Sequence, residues 1–342
     1  MTEAQNVTDQ SSAQNLLALA DLLTPNAIRV AATLRLADHI DKGETTVASL
    51  ASATDTDPVA LGLLMSLLAD LGVFTPEPLA VTELGAALRS DHPMTVGRYL
   101  SNDGLFGRSE LGLVGLAHTV RTGEPAYPAA FGRNYWDDIN SSGEFVDALT
   151  EEGPRVSAWD AHLVVDAYDW SSVRHVTDVG GNNGTLLIEL LEHHPHLHGT
   201  VFDLGNVSAI AADRIAASPV HNRADAAVGS FFDSVPSGSD VYLLSGILAD
   251  WSDADAVKIL DTVRQSLSST SVILLAEISV AVEGSAPLAL SVAATMPAPV
   301  RTPEQIRSIA VAAGLDVSWE GPRTAMRSLY ELRPAATESK ES

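Results

Sequence analysis

Asp178-Val179-Gly180-Gly181-Asn182-Asn183-Gly184 is the stretch that decides the fold of this chain. It follows a strand-like run and precedes a helical one. Glycines at 180, 181 and 184 allow a tight turn and close approach of backbone to a ligand. In an open α/β sheet, ligands bind at the carboxyl ends of strands near the switch point. The segment is therefore a candidate cofactor cradle. It is a poor match to the dinucleotide fingerprint G-x-G-x-x-G, because Asn182 stands where a glycine is needed.

Outward from this turn the rhythm is strand, helix, strand from Val173 onward. Strands are expected at Arg174–Val179, Thr200–Asp203, Ala226–Gly229, Asp240–Ser245 and Ser271–Glu277, with helices between them. Ser252 is a cap for the helix that follows Trp251, with Asp255 three residues on. Two further strands, near Leu315–Trp319 and Arg327–Leu332, are joined by a Gly-Pro-containing turn too short for a parallel crossover, so they should be antiparallel. The expected fold class is α/β: a Rossmann-like, mostly parallel sheet with an antiparallel last strand, preceded by a helical, winged-helix-like domain.

That first half reads as helices. Leu16 to Ile40 carries apolar residues at helical spacing, broken by Thr24-Pro25, and is apolar on more than one side, which suggests a subunit interface. A helix around Val47–Ala53 and another capped by Asp57 with Pro58 come next. Val73-Phe74 and Ala80-Val81 then form a small wing. Helix–turn–helix–wing often means DNA binding, but between Glu44 and Arg89 only Arg89 is basic against six acidic residues, so the unit is read as a scaffold. Ser90 to Asp169 is a longer helical stretch. Its Phe106, Trp136 and Phe145 are candidate walls of a flat apolar substrate pocket. The expected boundaries are 13–100 for the helical domain, 101–169 for a helical linker and pocket region, and 170–333 for the Rossmann-like domain, with 1–12 and 334–342 as disordered tails.

Composition narrows the function. The chain has 342 residues, a formal net charge of −24 and no cysteine. Nucleic-acid binding needs basic patches, so no nucleic-acid partner is expected. Without cysteine there are no disulfides, thiolate metal sites or thiol nucleophiles, which fits a cytoplasmic location. No apolar run of membrane-spanning length and no signal peptide is expected. The run His193-His194-Pro195-His196-Leu197-His198 is read as a polar loop before the second strand rather than a metal site.

At the strand ends, Asp203 can accept hydrogen bonds from both hydroxyls of a ribose, and Asp178 can brace the loop and face a cationic group. Ser230-Phe231-Phe232 can flank an adenine, with Phe231 over one ring face and Trp251 over the other.

These segments carry a resemblance. Thr24-Pro25 with Arg29-Val30-Ala31, Arg121-Thr122-Gly123, Phe131-Gly132 with Tyr135-Trp136, Asp178-Val179-Gly180-Gly181, Phe202-Asp203-Leu204, Gly229-Ser230-Phe231-Phe232 and Asp250-Trp251 together resemble the S-adenosylmethionine-dependent small-molecule O-methyltransferases. The chain is most similar to the actinobacterial type that tailors natural products, such as mitomycin and anthracycline methyltransferases. The resemblance covers roughly Leu16 to Leu332. It implies a homodimer through the N-terminal helices, a small-molecule substrate, and S-adenosyl-L-methionine or its demethylated product bound at Asp178, Gly180, Asp203, Leu204, Ser230, Phe231, Ser245 and Trp251, beside Gly181, Gly184 and Phe232 of the same loops.

The chain departs from the family where the chemistry lies. The family's Leu-His-Asp-Trp is Leu248-Ala249-Asp250-Trp251 here, so Ala249 stands in place of the general base. The Glu that braces that His corresponds to Val300, in Pro297-Ala298-Pro299-Val300-Arg301-Thr302. The remaining catalytic candidates are Glu277 and Asp250 as carboxylates at strand ends and Arg301 as a partner for an acidic substrate group. Glu151 and Glu152 are weaker candidates.

A general base contributes about 10²–10⁴-fold, whereas positioning can supply about 7–11 kcal/mol. Base-independent, proximity-driven methyl transfer to oxygen on an aromatic or polyketide-type intermediate is therefore expected. The alternative is a hydroxylase, decarboxylase or pericyclase-like enzyme that keeps the cofactor as a fixed positive charge. A non-catalytic subunit is the third possibility.

Overall fold

The computed structural model describes residues 12–94, 96–141, 161–278, 286–298, 301–324 and 327–335. The chain divides into two compact units, Met1–Leu111 and Gly112–Ser342.

The first unit is built from helices Leu23–Thr33, Leu36–Asp41, Val47–Ala53 and Pro58–Asp70 and an antiparallel hairpin of β1 (Phe74–Pro76) and β2 (Leu79–Val81). Local chemistry sets the helix starts. The Asp21 carboxylate accepts the N–H groups of Leu23 and Thr24. Thr46 accepts from Ser49, and Asp57 accepts from Val59 and Ala60 ahead of Pro58. Ala31, Leu36, Leu50, Leu61, Leu68 and Phe74 form the core. Leu16, Leu19, Leu23, Val59 and Leu63 remain exposed.

One expectation needs correction. By length and composition, Ser12–Thr33 is long and apolar enough to cross a membrane, with a mean hydropathy of 1.2. Thr24-Pro25 does not interrupt it as expected. Pro25 falls in the first turn of Leu23–Thr33, where its missing N–H costs nothing, and the break lies at residues 20–22.

The second unit carries a seven-stranded sheet of β3 (His175–Val179), β4 (His198–Asp203), β5 (Ala224–Val228), β6 (Val241–Ser245), β7 (Val272–Ile278), β8 (Leu315–Arg323) and β9 (Arg327–Pro334). Their order is β5-β4-β3-β6-β7-β9-β8. The first five are parallel, and β9 runs antiparallel to both β7 and β8. The boundaries depart from the sequence reading by a residue or two at most strand starts. β8 continues to Arg323, and β9 includes Pro334, which the sequence reading had put in the tail.

The central strands are apolar on both faces, as parallel strands between two helical layers must be. Leu243 and Leu274 face the layer of helices Thr185–His193 and Gly205–Ala216. Their neighbours Tyr242, Leu244, Ile273 and Leu275 face the layer of helices Asp253–Arg264 and Pro303–Ala312. The described residues of the Ser90–Asp169 stretch form short helices, among them Leu105–Leu111, Leu116–Thr122 and Tyr135–Asn140. In the histidine run, Nε2 of His194 donates to the Val165 carbonyl and Nε2 of His196 to that of Trp170, so these rings hold neighbouring backbone.

Chain direction fixes the candidate site. From β3 the chain steps outward to β4 and β5, then returns to lay β6 on the other side of β3. The switch point lies between β3 and β6, and the glycine turn leaves β3 there.

Candidate functional site

Asp178, near the end of β3, is almost wholly enclosed, and its Oδ2 has no hydrogen-bond partner. Burial, then the nearby Asp203 carboxylate, push its pKa up to about 7. Such an oxygen costs free energy unless a ligand satisfies it. The turn above it is shaped to let a ligand in. Gly180 has φ +73°, and its N–H donates to the Phe202 carbonyl at 2.8 Å. A Cβ on Gly181 would stand 2.6 Å from Asp178 Oδ2. Asn182 takes φ +52°, a conformation asparagine tolerates, and its Oδ1 is also enclosed without a partner. Gly184 caps the helix Thr185–His193.

Asp203 ends β4. Its Oδ2 accepts the N–H of Asn182 at 2.9 Å and its Oδ1 that of Leu204 at 2.7 Å. Burial raises its pKa, and those two bonds oppose the rise. The two amides tie the carboxylate to both flanking loops, and each oxygen keeps a lone pair for a hydroxyl. Ser230 Oγ accepts from Phe232 N–H after β5.

The aromatic residues are arranged differently from the sequence expectation. Phe231 and Trp251 do not stand as parallel plates around a ring. Their centroids are 5.9 Å apart at 81°, and Phe232 meets Trp251 edge-on at 4.7 Å. The three form one wall, because edge-to-face contact is the favoured geometry for rings this close. Phe231 reaches over Gly180, 3.5 Å from where a Cβ would be.

The turn Leu248–Asp250, which carries Ala249, is held by two side chains. Glu277, fully enclosed at the end of β7, accepts Leu248 N–H on Oε2 and Ile278 N–H on Oε1. Burial raises its pKa against those bonds and two nearby arginines. Arg301 is buried to 1% exposure. Its guanidinium donates to Asp253, to the Leu248 carbonyl and to the Trp251 carbonyl. This corrects the expectation that Arg301 grips an acidic substrate group: its donors are committed to the protein. Glu277 is likewise a brace and does not reach outward. Ala249 is buried, and Asp250 is mostly buried. Burial first and Glu277 next push the Asp250 pKa well above the carboxylate range, and Arg327 opposes them.

Arg327 is the residue that the sequence reading missed. It begins β9 opposite Ile278, so it stands at the carboxyl end of β7. Its Nη1 donates to Ser245 Oγ at 2.6 Å and to the Ala276 carbonyl at 3.2 Å. One signal was available. A strand antiparallel to β7 must start where the parallel strands end, so its first residues face the site.

Of the expected pocket walls, Phe106 lies in the first unit, stacked on Tyr99 at 5.0 Å. Trp136 lies in the second, edge-on to Tyr135, with its Nε1 enclosed and unpartnered. Phe145, Glu151, Glu152 and Val300 lie outside the described residues.

A doubly wound sheet with a glycine turn over a buried aspartate, and a second aspartate ending the next strand, defines a Rossmann-like nucleoside-binding protein. The chain belongs to the S-adenosyl-L-methionine-dependent O-methyltransferase family: the O-methyltransferase domain matches residues 114–316 and the O-methyltransferase dimerisation domain residues 17–95. It is 41% identical to 2,7-dihydroxy-5-methyl-1-naphthoate 7-O-methyltransferase of Streptomyces carzinostaticus over 77% of this chain and 80% of that one. It is 38% identical to aclacinomycin 10-hydroxylase RdmB of Streptomyces purpurascens over 92% and 87%. It superposes with a TM-score of 0.86 and 37% identity on the O-methyltransferase NcsB1 from neocarzinostatin biosynthesis, covering 93% of this chain and 98% of that one; that structure holds S-adenosyl-L-homocysteine and 1,4-dihydroxy-2-naphthoic acid.

The residues present fit the cofactor. An unpartnered buried carboxylate oxygen is suited to a cationic ligand group, and a turn with no room for a Cβ at Gly181 is suited to close contact.

Proposed function

We propose that this enzyme methylates a hydroxyl of a flat aromatic or polyketide-type intermediate of the naphthoate class, and that positioning rather than a histidine base drives the transfer. The observation that carries the proposal is the buried Ala249 in a turn held rigid by Glu277 and Arg301. The turn keeps its supports where the family places its base, but its side chain offers no proton acceptor. When bound, the cofactor supplies an electrophilic methyl and a neutral thioether leaving group.

The chain's own residues do the rest. Asp203 holds the ribose hydroxyls, with Leu204 and Ser230 beside it. Asp178 in its ionised form balances the cationic end. Phe231, Phe232 and Trp251 form the apolar wall against the adenine. Gly180, Gly181 and Gly184 keep the turn open. Trp136 lines the acceptor pocket, and its enclosed Nε1–H, which has no hydrogen-bond partner in the protein, meets an acceptor oxygen. Asp250 is the carboxyl of the turn able to meet a substrate proton, since Glu277 is enclosed. A hydroxyl already ionised at neutral pH needs less from it, and orientation alone can supply about 7–11 kcal/mol.

The exposed leucines of the first unit, with the matched dimerisation domain, support a homodimer in which a second copy covers Leu23 and Leu63. A cytoplasmic location is in keeping with a chain free of cysteine.

A second activity is favoured by the same Ala249 and by the likeness to a hydroxylase: retention of the cofactor as a fixed charge without methyl transfer. Incubation with methyl-labelled cofactor and hydroxynaphthoates decides between them. Label in the product with equal S-adenosyl-L-homocysteine supports methyl transfer. A changed substrate with no S-adenosyl-L-homocysteine overturns it.

A further inference from the structure

The turn after β3 enters the left-handed backbone region three times. Gly180 and Gly184 do so at φ +73° and +77°, where glycine meets no steric cost. Asn182 does so at φ +52° and carries a side chain. Asparagine tolerates this region better than most residues, but a glycine would sit there more easily still.

The turn leans on β4. Gly180 N–H donates to the Phe202 carbonyl at 2.8 Å, and Asn182 N–H donates to Asp203 Oδ2 at 2.9 Å. A Cβ on Gly184 would be 3.1 Å from Val201 Cγ2. Asn182 is therefore set directly against the carboxylate that ends β4, on the ribose side of the site.

The Oδ1 atom of Asn182 is enclosed and has no hydrogen-bond partner. Such an acceptor costs free energy until a donor reaches it. The residue as a whole is partly exposed, and the Cβ–Cγ torsion of asparagine is broad, so a modest rotation turns the oxygen toward a ligand. Each oxygen of Asp203 already accepts one backbone N–H, from Asn182 and from Leu204. A vicinal diol brings two O–H donors to this corner. A carboxylate and an amide oxygen side by side offer one acceptor to each of them.

We infer that Asn182 binds one hydroxyl of the cofactor's ribose through its side-chain oxygen, while Asp203 takes the other. This rests on the cofactor assignment above and deepens it. The residue that breaks the glycine pattern of the turn then selects for a ribose with both hydroxyls free.

Calorimetry with S-adenosyl-L-homocysteine and its 2′-deoxy and 3′-deoxy analogues tests it. Asn182→Gly removes the side chain, keeps the N–H that Asp203 accepts and relieves the backbone, so thermal melting should show a protein at least as stable. The variant should bind S-adenosyl-L-homocysteine about tenfold more weakly. In the wild-type protein both deoxy analogues should bind more weakly than the parent ligand. In the variant the penalty for one missing hydroxyl should disappear and the other should persist. If both penalties persist, if both disappear, or if the variant binds the parent ligand as tightly as the wild type or more tightly, the assignment is overturned and Asn182 only shapes the turn. Failure of the wild-type protein to bind the parent ligand would instead sink the cofactor assignment itself.

Discussion

Glu277 and Arg301 hold the same residue, one at its N–H and one at its carbonyl. Glu277 Oε2 accepts the Leu248 N–H at 2.8 Å, and Arg301 donates to the Leu248 oxygen and, at 2.7 Å, to that of Trp251. The two are 24 residues apart in sequence and meet only across this turn. Arg301→Met should remove a charged donor from the Leu248 and Trp251 carbonyls and leave Glu277 less compensated, lowering stability by about 3 kcal/mol. Urea titration of the variant measures it. A loss below about 1 kcal/mol would show that the turn does not depend on this arginine.

Asp178 should make cofactor binding pH-dependent. Burial and Asp203 raise its pKa to about 7, and a cationic ligand end prefers the ionised form. Affinity for S-adenosyl-L-methionine should therefore climb between pH 6 and 8 and flatten above. The ligand-free protein should respond in the opposite sense. A carboxyl whose folded-state pKa is raised contributes stability below its unfolded value, near 3.8, and loses it as pH rises through about 7. Asp178→Asn should then raise ligand-free stability at pH 8 while removing the pH dependence of binding. Calorimetry and melting at four pH values check both signs.

Gly181→Ala isolates the shape of the cradle. The new Cβ would lie 2.6 Å from Asp178 Oδ2, so the carboxylate must turn away or the loop must shift. Binding of S-adenosyl-L-homocysteine should fall by at least about tenfold, the equivalent of roughly 1.4 kcal/mol. Unfolding free energy should change much less, because the turn lies at the edge of the core.

Ala249→His tests whether transfer runs without a base. For acceptor phenols with pKa values well above the assay pH, the variant should gain up to about 10²-fold in rate. For acceptors already ionised it should gain little. Initial rates of label transfer across a series of substituted naphthols give the comparison. A uniform gain across the series would mean that proton removal limits the wild-type enzyme with every acceptor.

Leu63→Glu places a charge in the exposed apolar face of the first unit, where Leu63 is 71% exposed in the single chain. The variant should run as a monomer under light scattering with its helical content intact. A dimer that survives the substitution would put the subunit contact elsewhere.

Much of the architecture could be read along the chain because it follows local rules. The helix that opens at Asp57-Pro58 and the one capped by Ser252 rest on contacts within four residues. The antiparallel last pair follows from the length of its turn, and Asp178 and Asp203 from the places where strands end. What could not be read depended on neighbours distant in sequence. Arg301 looks from the sequence like a cation available to substrate, yet its donors are spent on residues 48 to 53 positions away. Phe231 and Trp251 were legible as aromatic residues at strand ends, but not as an edge-to-face pair.

Arg327 marks the division most sharply. The sequence determined that a strand begins there and that the strand is antiparallel, since turn length and alternation are properties of adjacent residues. Only the tertiary structure decided that β9 inserts between β7 and β8 and carries this guanidinium to Ser245, 82 residues earlier in the chain. Strand order is set by which apolar faces pack together across the whole sheet, and no local stretch of sequence encodes that.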